Sequence, residues 1–178
     1  NARNNTITST FNAHSHIDIT QVGTITAGTW TATAVGTSYG GLGSAVPGAR
    51  VYNSAAISLS NDSNTALTFD TERFDNDTNH STASNTSRLT ATTAGKYIIT
   101  GHVIFDSNAT GRRSVDVRLN GATQLATVNY DIDSAINHAF SIATIYDMAA
   151  TDYVELMAYQ NSTGSLNVNA TANASPEF

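Results

Sequence analysis

From Ala49 onward the chain alternates apolar and polar residues at a period of two, in one short block after another. Val51, Ala55, Ile57 and Leu59 put an apolar face on a first stretch, and Leu67 and Phe69 on a second. The run Gly95 to Phe105 sets Tyr97, Ile99, Val103 and Phe105 on one side. Val115, Val117 and Leu119 follow, with Ser114, Asp116 and Arg118 opposite. Phe140, Ile142 and Tyr146 share a face, as do Val154, Leu156 and Ala158, and Leu166 and Val168 close the series. Successive side chains of a strand point to opposite faces, so the alternation predicts half-buried strands. Turn chemistry divides the runs at Asp106-Ser107-Asn108, Ala149 to Asp152 and Asn161 to Gly164. Asn120-Gly121 is a hairpin signal, because both residues tolerate positive φ. Many short strands separated in this way predict an all-β sandwich or jelly roll.

Two runs are apolar on both faces. Ile98 and Ile104 lie opposite Tyr97, Ile99, Val103 and Phe105; Tyr153, Met157 and Tyr159 lie opposite Val154, Leu156 and Ala158. A two-layer sandwich buries one face of each sheet. The second face therefore needs another cover, and a neighbouring subunit supplies one most simply. Scattered apolar surface residues are the plainer alternative.

Residues 1–48 carry a different pattern. Ile17 to Trp30 is rich in Thr, Gly and β-branched residues, with too few large apolar side chains for a core of its own. Gly40-Gly41-Leu42-Gly43 then breaks the chain and Pro47-Gly48 marks a boundary. Strand propensity with regular glycine favours stabilisation by copies of the same segment; a flexible linker is the alternative.

Composition strengthens the all-β reading and removes several functions. The 27 Thr, 18 Ser and 18 Asn make up over a third of the 178 residues, while only three Glu and eight Leu are present. The net charge is −6, with Lys96 the single lysine, so nucleic acid is not an expected partner. No apolar run reaches the ~18 residues of a membrane span. No basic n-region precedes an apolar stretch, so no signal peptide is expected, and Asn1 reads as the start of a processed or trimmed product. With no cysteine, disulfides and thiolate chemistry are excluded.

Four pieces within 49–169 resemble the complement C1q/tumour-necrosis-factor-like jelly rolls: Ala49 to Asn53, Leu67 to Asp75, Ser87 to Tyr97 with its Gly95-Lys96-Tyr97, and Thr151 to Leu156. Thr151 stands where that family usually has glycine. The resemblance implies a ten-stranded jelly roll that forms homotrimers, with the 95–105 and 138–148 strands in an inner sheet near a threefold axis. Ile98, His102, Ile104, Ala139, Ala143 and Ile145 are the trimer-interface residues expected on that basis. Residues 17–43 resemble the repeat of bacteriophage tail-fibre shafts through Val22 to Trp30, Ala34-Val35 and Tyr39-Gly40-Gly41, with Leu42 departing from the pattern. Three regions are thus expected: a trimeric shaft-like β segment at 1–48, a jelly-roll domain at 49–170 and a polar tail at 171–178.

Candidate chemistry is sparse. In a strand, His14 and His16 face one side. Three parallel chains would gather six imidazoles around an axis, a set suited to iron or nickel more than zinc. The motif resembles axial His-x-His sites of some fibre shafts; a solvated pair is the alternative. Asp75-Asn76-Asp77-Thr78-Asn79 begins like a calcium loop, but His80 and Thr86 replace the required Gly and Glu. C1q-like trimers sometimes hold calcium near the axis, yet no ligands can be assigned here. No Gly-x-Ser-x-Gly elbow or His-Glu-x-x-His is present, and no glycosidase carboxylate pair stands out. His102 and His138 read as buried or interfacial histidines.

The combined expectation is a structural, non-enzymatic virion protein: the distal part of a trimeric phage tail or head fibre, exposed on the particle. Its partners would be other virion proteins and a host-surface glycan or protein. Loops 61–64, 75–87, 106–112 and 161–165, rich in Asn, Ser, Thr and Asp, are the candidate contacts, with no receptor-binding residue assigned. A decoration or surface-filament protein with no ligand is the alternative, and a polysaccharide hydrolase tip a third reading.

Overall fold

β-Branched and aromatic residues at alternate positions give the chain extended segments with one face suited to burial. The computed structural model describes residues 47–178, which contain eleven strands and no helix. In chain order these are β1 (Ala49–Tyr52), β2 (Ile57–Leu59), β3 (Ser63–Ala66), β4 (Thr71–Asp75), β5 (Arg88–Thr90), β6 (Gly95–Phe105), β7 (Arg112–Leu119), β8 (Thr123–Asp131), β9 (His138–Met148), β10 (Tyr153–Gln160) and β11 (Leu166–Val168). The shaft-like segment, with His14 and His16, lies outside the described residues.

One sheet has the order β2-β11-β6-β9 and the other β3-β10-β7-β8, with β5 also paired to β10. From β6 the chain crosses to β7, turns into β8, returns to β9, crosses to β10 and returns to β11. All these pairings are antiparallel. That path is the expected jelly roll. The count exceeds ten partly because the stretch read as one strand from Val51 to Leu59 is two. Ser54 is held by the Asp70 carboxylate at 2.8 Å (backbone N) and 2.5 Å (Oγ), so β1 pairs with β4 while β2 pairs with β11.

Val51, Leu59, Phe105, Val115, Val117, Leu156 and Val168 are fully buried between the sheets. Phe105 meets Phe140 edge-on at 5.4 Å, a geometry that aromatic quadrupoles favour. Leu67 and Phe69 are equally buried without belonging to a strand; their N–H groups donate to the carbonyls of Leu156 and Thr86, each at 2.9 Å. At Gly101 the layers nearly touch: a Cβ there would stand 2.6 Å from Leu156 Cδ1.

The last residues differ from expectation. The segment 171–178, read as a polar tail, ends inside the sheet. Glu177 exchanges backbone hydrogen bonds with His102 of β6 (3.0 and 2.9 Å), and Phe178 does so with Val51 of β1 (3.0 and 2.9 Å). Phe178 is buried and stacks on Phe69 at 5.9 Å. These two residues join the β1–β4 pair to β6, so the first sheet is continuous only through them.

Left-handed residues mark several turns, and two of these turns are tied together. Asn120 (φ 51°) and Gly121 (φ 71°) form the expected hairpin between β7 and β8. The Asn120 amide donates to Asp152 Oδ1 at 2.8 Å and its Oδ1 accepts from the Tyr153 N–H at 2.9 Å, tying this turn to the β9–β10 turn. Thr151, in that second turn, has φ 75°. A β-branched residue there suffers the Cβ clash that glycine escapes, about 1–2 kcal/mol. Thr151→Gly is therefore expected to stabilise the domain by about 1 kcal/mol after allowing for glycine's greater unfolded-state entropy. A rise of a few degrees in Tm is the expected reading; a fall would show that the hydroxyl or methyl of Thr151 outweighs the strain.

Candidate functional site

The β6–β9 pair is the longest in the structure, with eleven residue pairs in unbroken register from Gly95↔Met148 to Phe105↔His138. Alternation sends Tyr97, Ile99, Val103 and Phe105 inward with Phe140 and Ile142. Opposite them, five cross-strand rows face out: Lys96–Asp147, Ile98–Ile145, Thr100–Ala143, His102–Ser141 and Ile104–Ala139. Ile98 is 77% exposed and Ile145 67%, directly across from one another. Beyond that row β9 contributes only the small side chains of Ala143, Ser141 and Ala139, opposite Thr100, His102 and Ile104, and Lys96 with Asp147 closes the other end with an ion pair at 2.9 Å.

All six residues expected at a trimer interface (Ile98, His102, Ile104, Ala139, Ala143 and Ile145) therefore stand on this one face. Two are partly covered by the chain's own end. His102 Nδ1 lies 2.5 Å from the Ala174 carbonyl, and the Ile104 N–H donates to Ser175 Oγ at 2.8 Å. The open part of the face runs from Ile98 and Ile145 through Thr100, Ala143 and Ser141 to Ala139. A cleft of about 1030 Å³ borders it, lined among others by Gly48, Arg50, Phe74, Ile98, His102 and Glu177.

Charge organises the side of the face nearest the chain end. The Glu177 carboxylate takes Arg50 Nε at 2.6 Å and the Arg73 fork at 2.8 and 2.7 Å. Arg73 also lies 4.1 Å from the Tyr52 ring centre. The Glu177 hydrogen bonds hold the Arg73 guanidinium above its ordinary pKa. This cluster was not read from the sequence. Arg50, Arg73 and Glu177 are far apart in the chain, and only the pairing of β1 with β4 and the bridge from Glu177 to Tyr52 bring them together.

The second two-faced run resolves differently. Tyr153, Met157 and Tyr159 lie on the outer face of the other sheet, where the chain covers them itself. Arg88 stands 4.0 Å from the Tyr153 ring centre and Arg112 5.5 Å from that of Tyr159, and Met157 is buried. The interface expected there is corrected on that ground.

Three of the four candidate loops meet at one end of the sandwich. Asn161 Oδ1 accepts the Arg112 N–H at 2.5 Å, and the Thr163 N–H donates to Asn61 Oδ1 at 2.8 Å. Arg113, fully buried, braces the middle loop by donating to the carbonyls of Thr110 (2.9 Å), Arg112 (3.1 Å) and Asn108 (3.4 Å). Burial holds its pKa below the usual guanidinium value. Its core-side placement was missed, although it shares parity with Val115 and Val117.

Loop 75–87 is tied elsewhere. Asp75 accepts the N–H groups of Asp77 (3.2 Å), Asn79 (3.0 Å) and His80 (2.9 Å). The His80 ring, wholly buried, lies 3.0 Å from Glu72 Oε1 and 3.2 Å from the Thr86 carbonyl. The carboxylate that begins the calcium-like string thus caps its own loop. Among the described residues no cluster of three His, Cys, Asp or Glu is placed to hold a metal. The three glutamates are each engaged: Glu72 with His80, Glu155 with Ser87 and Arg88, and Glu177 with Arg50 and Arg73.

No protein-family model matches the chain, and no curated protein does. Among solved structures the chain is similar to the globular domain of zebrafish complement 1qA protein, with 14% identity over 64% of this chain and 92% of that one, at a TM-score of 0.45. It is also similar to murine APRIL (13% identity, 68% and 96% coverage, TM-score 0.49). A third is Eiger TNF from S. frugiperda (13% identity, 71% and 92% coverage, TM-score 0.48). Each likeness is one of fold.

Two expectations follow from the charged groups. Glu177→Ala leaves two guanidinium groups without their carboxylate and is expected to cost about 2–4 kcal/mol; a loss below about 0.5 kcal/mol in denaturant unfolding would deny the cluster its role. For Asp75, burial raises the carboxyl pKa, but the N–H groups of Asn79, His80 and Asp77 outweigh it and the net shift is downward. With the folded pKa depressed, this stabilisation is complete above the unfolded value of about 3.9 and is lost as pH falls through the folded one. Asp75→Asn should therefore narrow the stability difference between neutral and acid solution; an unchanged slope would contradict the assignment.

Proposed function

We propose that this chain is the terminal module of a homotrimeric fibre, assembled through the outer face of β6 and β9, that attaches a virion to a host surface. The observation carrying the assembly is the Ile98–Ile145 row, two large apolar side chains opposed on the outer sheet face and left exposed among the described residues. Covering each side chain is worth about 1.5–3 kcal/mol. Three copies would bring six isoleucines together, and Thr100, Ala143, Ser141 and Ala139 leave room for backbones to approach. A closed ring of three also satisfies a contact made between different patches on neighbouring copies.

The fibre and attachment parts of the proposal draw on the shaft-like string Val22 to Trp30 and on three Asn- and Thr-rich loops gathered at one end of the sandwich. Loops braced by a buried arginine offer an ordered, hydrogen-bonding surface for contact.

Native mass measurement is expected to give three times the chain's 18.7 kDa. Ile98→Asp should dissociate the particle, because it replaces apolar contact with three carboxylates around one axis; a wild-type protein that is monomeric at micromolar concentration would overturn the assembly. For the virion role, gold-labelled antibody against the chain should decorate fibre ends on particles, and particles without label would reject it.

A further inference from the structure

The outer face of the second sheet carries a polar pocket of about 330 Å³, at the small end of the range for small-molecule sites. Register defines its floor. Asn64, Tyr159, Ser114 and Asn129 form one straight row across β3, β10, β7 and β8; Asp116 faces Thr127 in the next row and Arg118 faces Gln124 beyond it. With strands about 4.8 Å apart, the first row spans about 14 Å.

Asp116 is buried at the centre. Its Oδ1 accepts from Thr127 Oγ1 at 2.6 Å and Ser114 Oγ at 3.0 Å, and its Oδ2 lies 3.4 Å from Arg118 Nη2. Both hydroxyl protons are thereby spent on the carboxylate, so Ser114 and Thr127 have lone pairs left to offer outward. Around them the side-chain amides of Asn64, Gln124 and Asn129 make no hydrogen bond to any described residue, and each can donate and accept. Arg118 has only that one long contact, and its buried Nε has no partner. Arg112 lies against the Tyr159 ring, whose hydroxyl donates to Asp62 at 2.5 Å. The pocket thus has two guanidinium groups against a single lining carboxylate.

We infer that this pocket binds an acidic saccharide, a short chain of hydroxylated rings bearing a carboxylate. Amides that donate and accept at once, set beside acceptor hydroxyls, match vicinal sugar hydroxyls, which do the same. A guanidinium fork matches a carboxylate and leaves the pocket neutral when the ligand carries one negative charge. The row length suits two or three rings laid across the strands. This inference names the ligand class for the attachment role proposed above and rests on it, but the pocket lies on the opposite sheet from the assembly face, so the two fail separately.

The test titrates isotope-labelled full-length protein with galacturonic acid trimer, the matching neutral galactose trimer and sodium acetate. It is run on wild type and on the Ile98→Asp variant. Saturable binding of the acidic trimer is expected, with the neutral trimer about tenfold weaker, acetate not saturating, and the side-chain amides of Asn64, Gln124 and Asn129 shifting most. Asn129→Ala, at an exposed position, should weaken binding about tenfold with Tm unchanged, and Arg112→Gln should weaken it about tenfold with a small fall in Tm from the lost cover over Tyr159. Ile98→Asp should keep per-chain affinity, so a monomeric variant that still binds separates this site from the assembly. No saturation by ~10 mM acidic trimer, equal affinity for the neutral trimer, or shifts centred elsewhere would overturn the inference.

Discussion

The structure depends on a constraint of layered proteins: a two-sheet sandwich can hide only one face of each strand. β6 and β9 meet that constraint on their inner face, where Ile99, Val103, Phe105, Phe140 and Ile142 fill the space between the sheets. Their outer face carries Ile98 and Ile145, for which the described residues provide no cover. The other sheet solves the same problem internally, by laying Arg88 and Arg112 across Tyr153 and Tyr159. Among the described residues one sheet is thus finished by its own chain and the other is left open, and the proposed assembly draws on that difference.

The chain end is the second determinant. Glu177 and Phe178 lie between β1 and β6, so the sheet that bears the open face is completed by the last residues of the sequence. Glu177 faces out to Arg50 and Arg73, while Phe178 faces in to Phe69. A two-residue bridge with a charged clamp outside and an aromatic anchor inside fixes the position of β1 relative to β6. It also places Ala174 and Ser175 over His102 and Ile104, which limits how much of the face remains available to a partner.

Most of the inner core was legible from period-two alternation, because the parity of each run determines its face. Tyr97 to Phe105, Val115 to Leu119 and Val154 to Ala158 all resolved that way, and Asn120-Gly121 announced its turn. The C-terminal bridge was not legible: its sheet contacts are two residues long, and residues 169–176 separate them from β11, so no periodicity survives. The self-cover over Tyr153 and Tyr159 was hidden for another reason. It comes from Arg88 and Arg112, whose arrival over those rings is set by sheet order and not by local sequence. Parity alone placed the six residues expected at an interface on one face, and the resemblance supplied the role expected of them. The row Asn64, Ser114, Asn129 was invisible until the order β3-β10-β7-β8 placed three separate polar positions in line.

Because the chain lacks cysteine, one introduced thiol at the open face reports directly on whether that face is covered. Ile145→Cys, examined at micromolar concentration, is predicted to react slowly with a maleimide and to form chain-to-chain disulfides on mild oxidation, as thiols gathered near a shared axis should. Rapid, complete labelling with no cross-linked chains would show the Ile98–Ile145 row bathed in water, and would contradict the account.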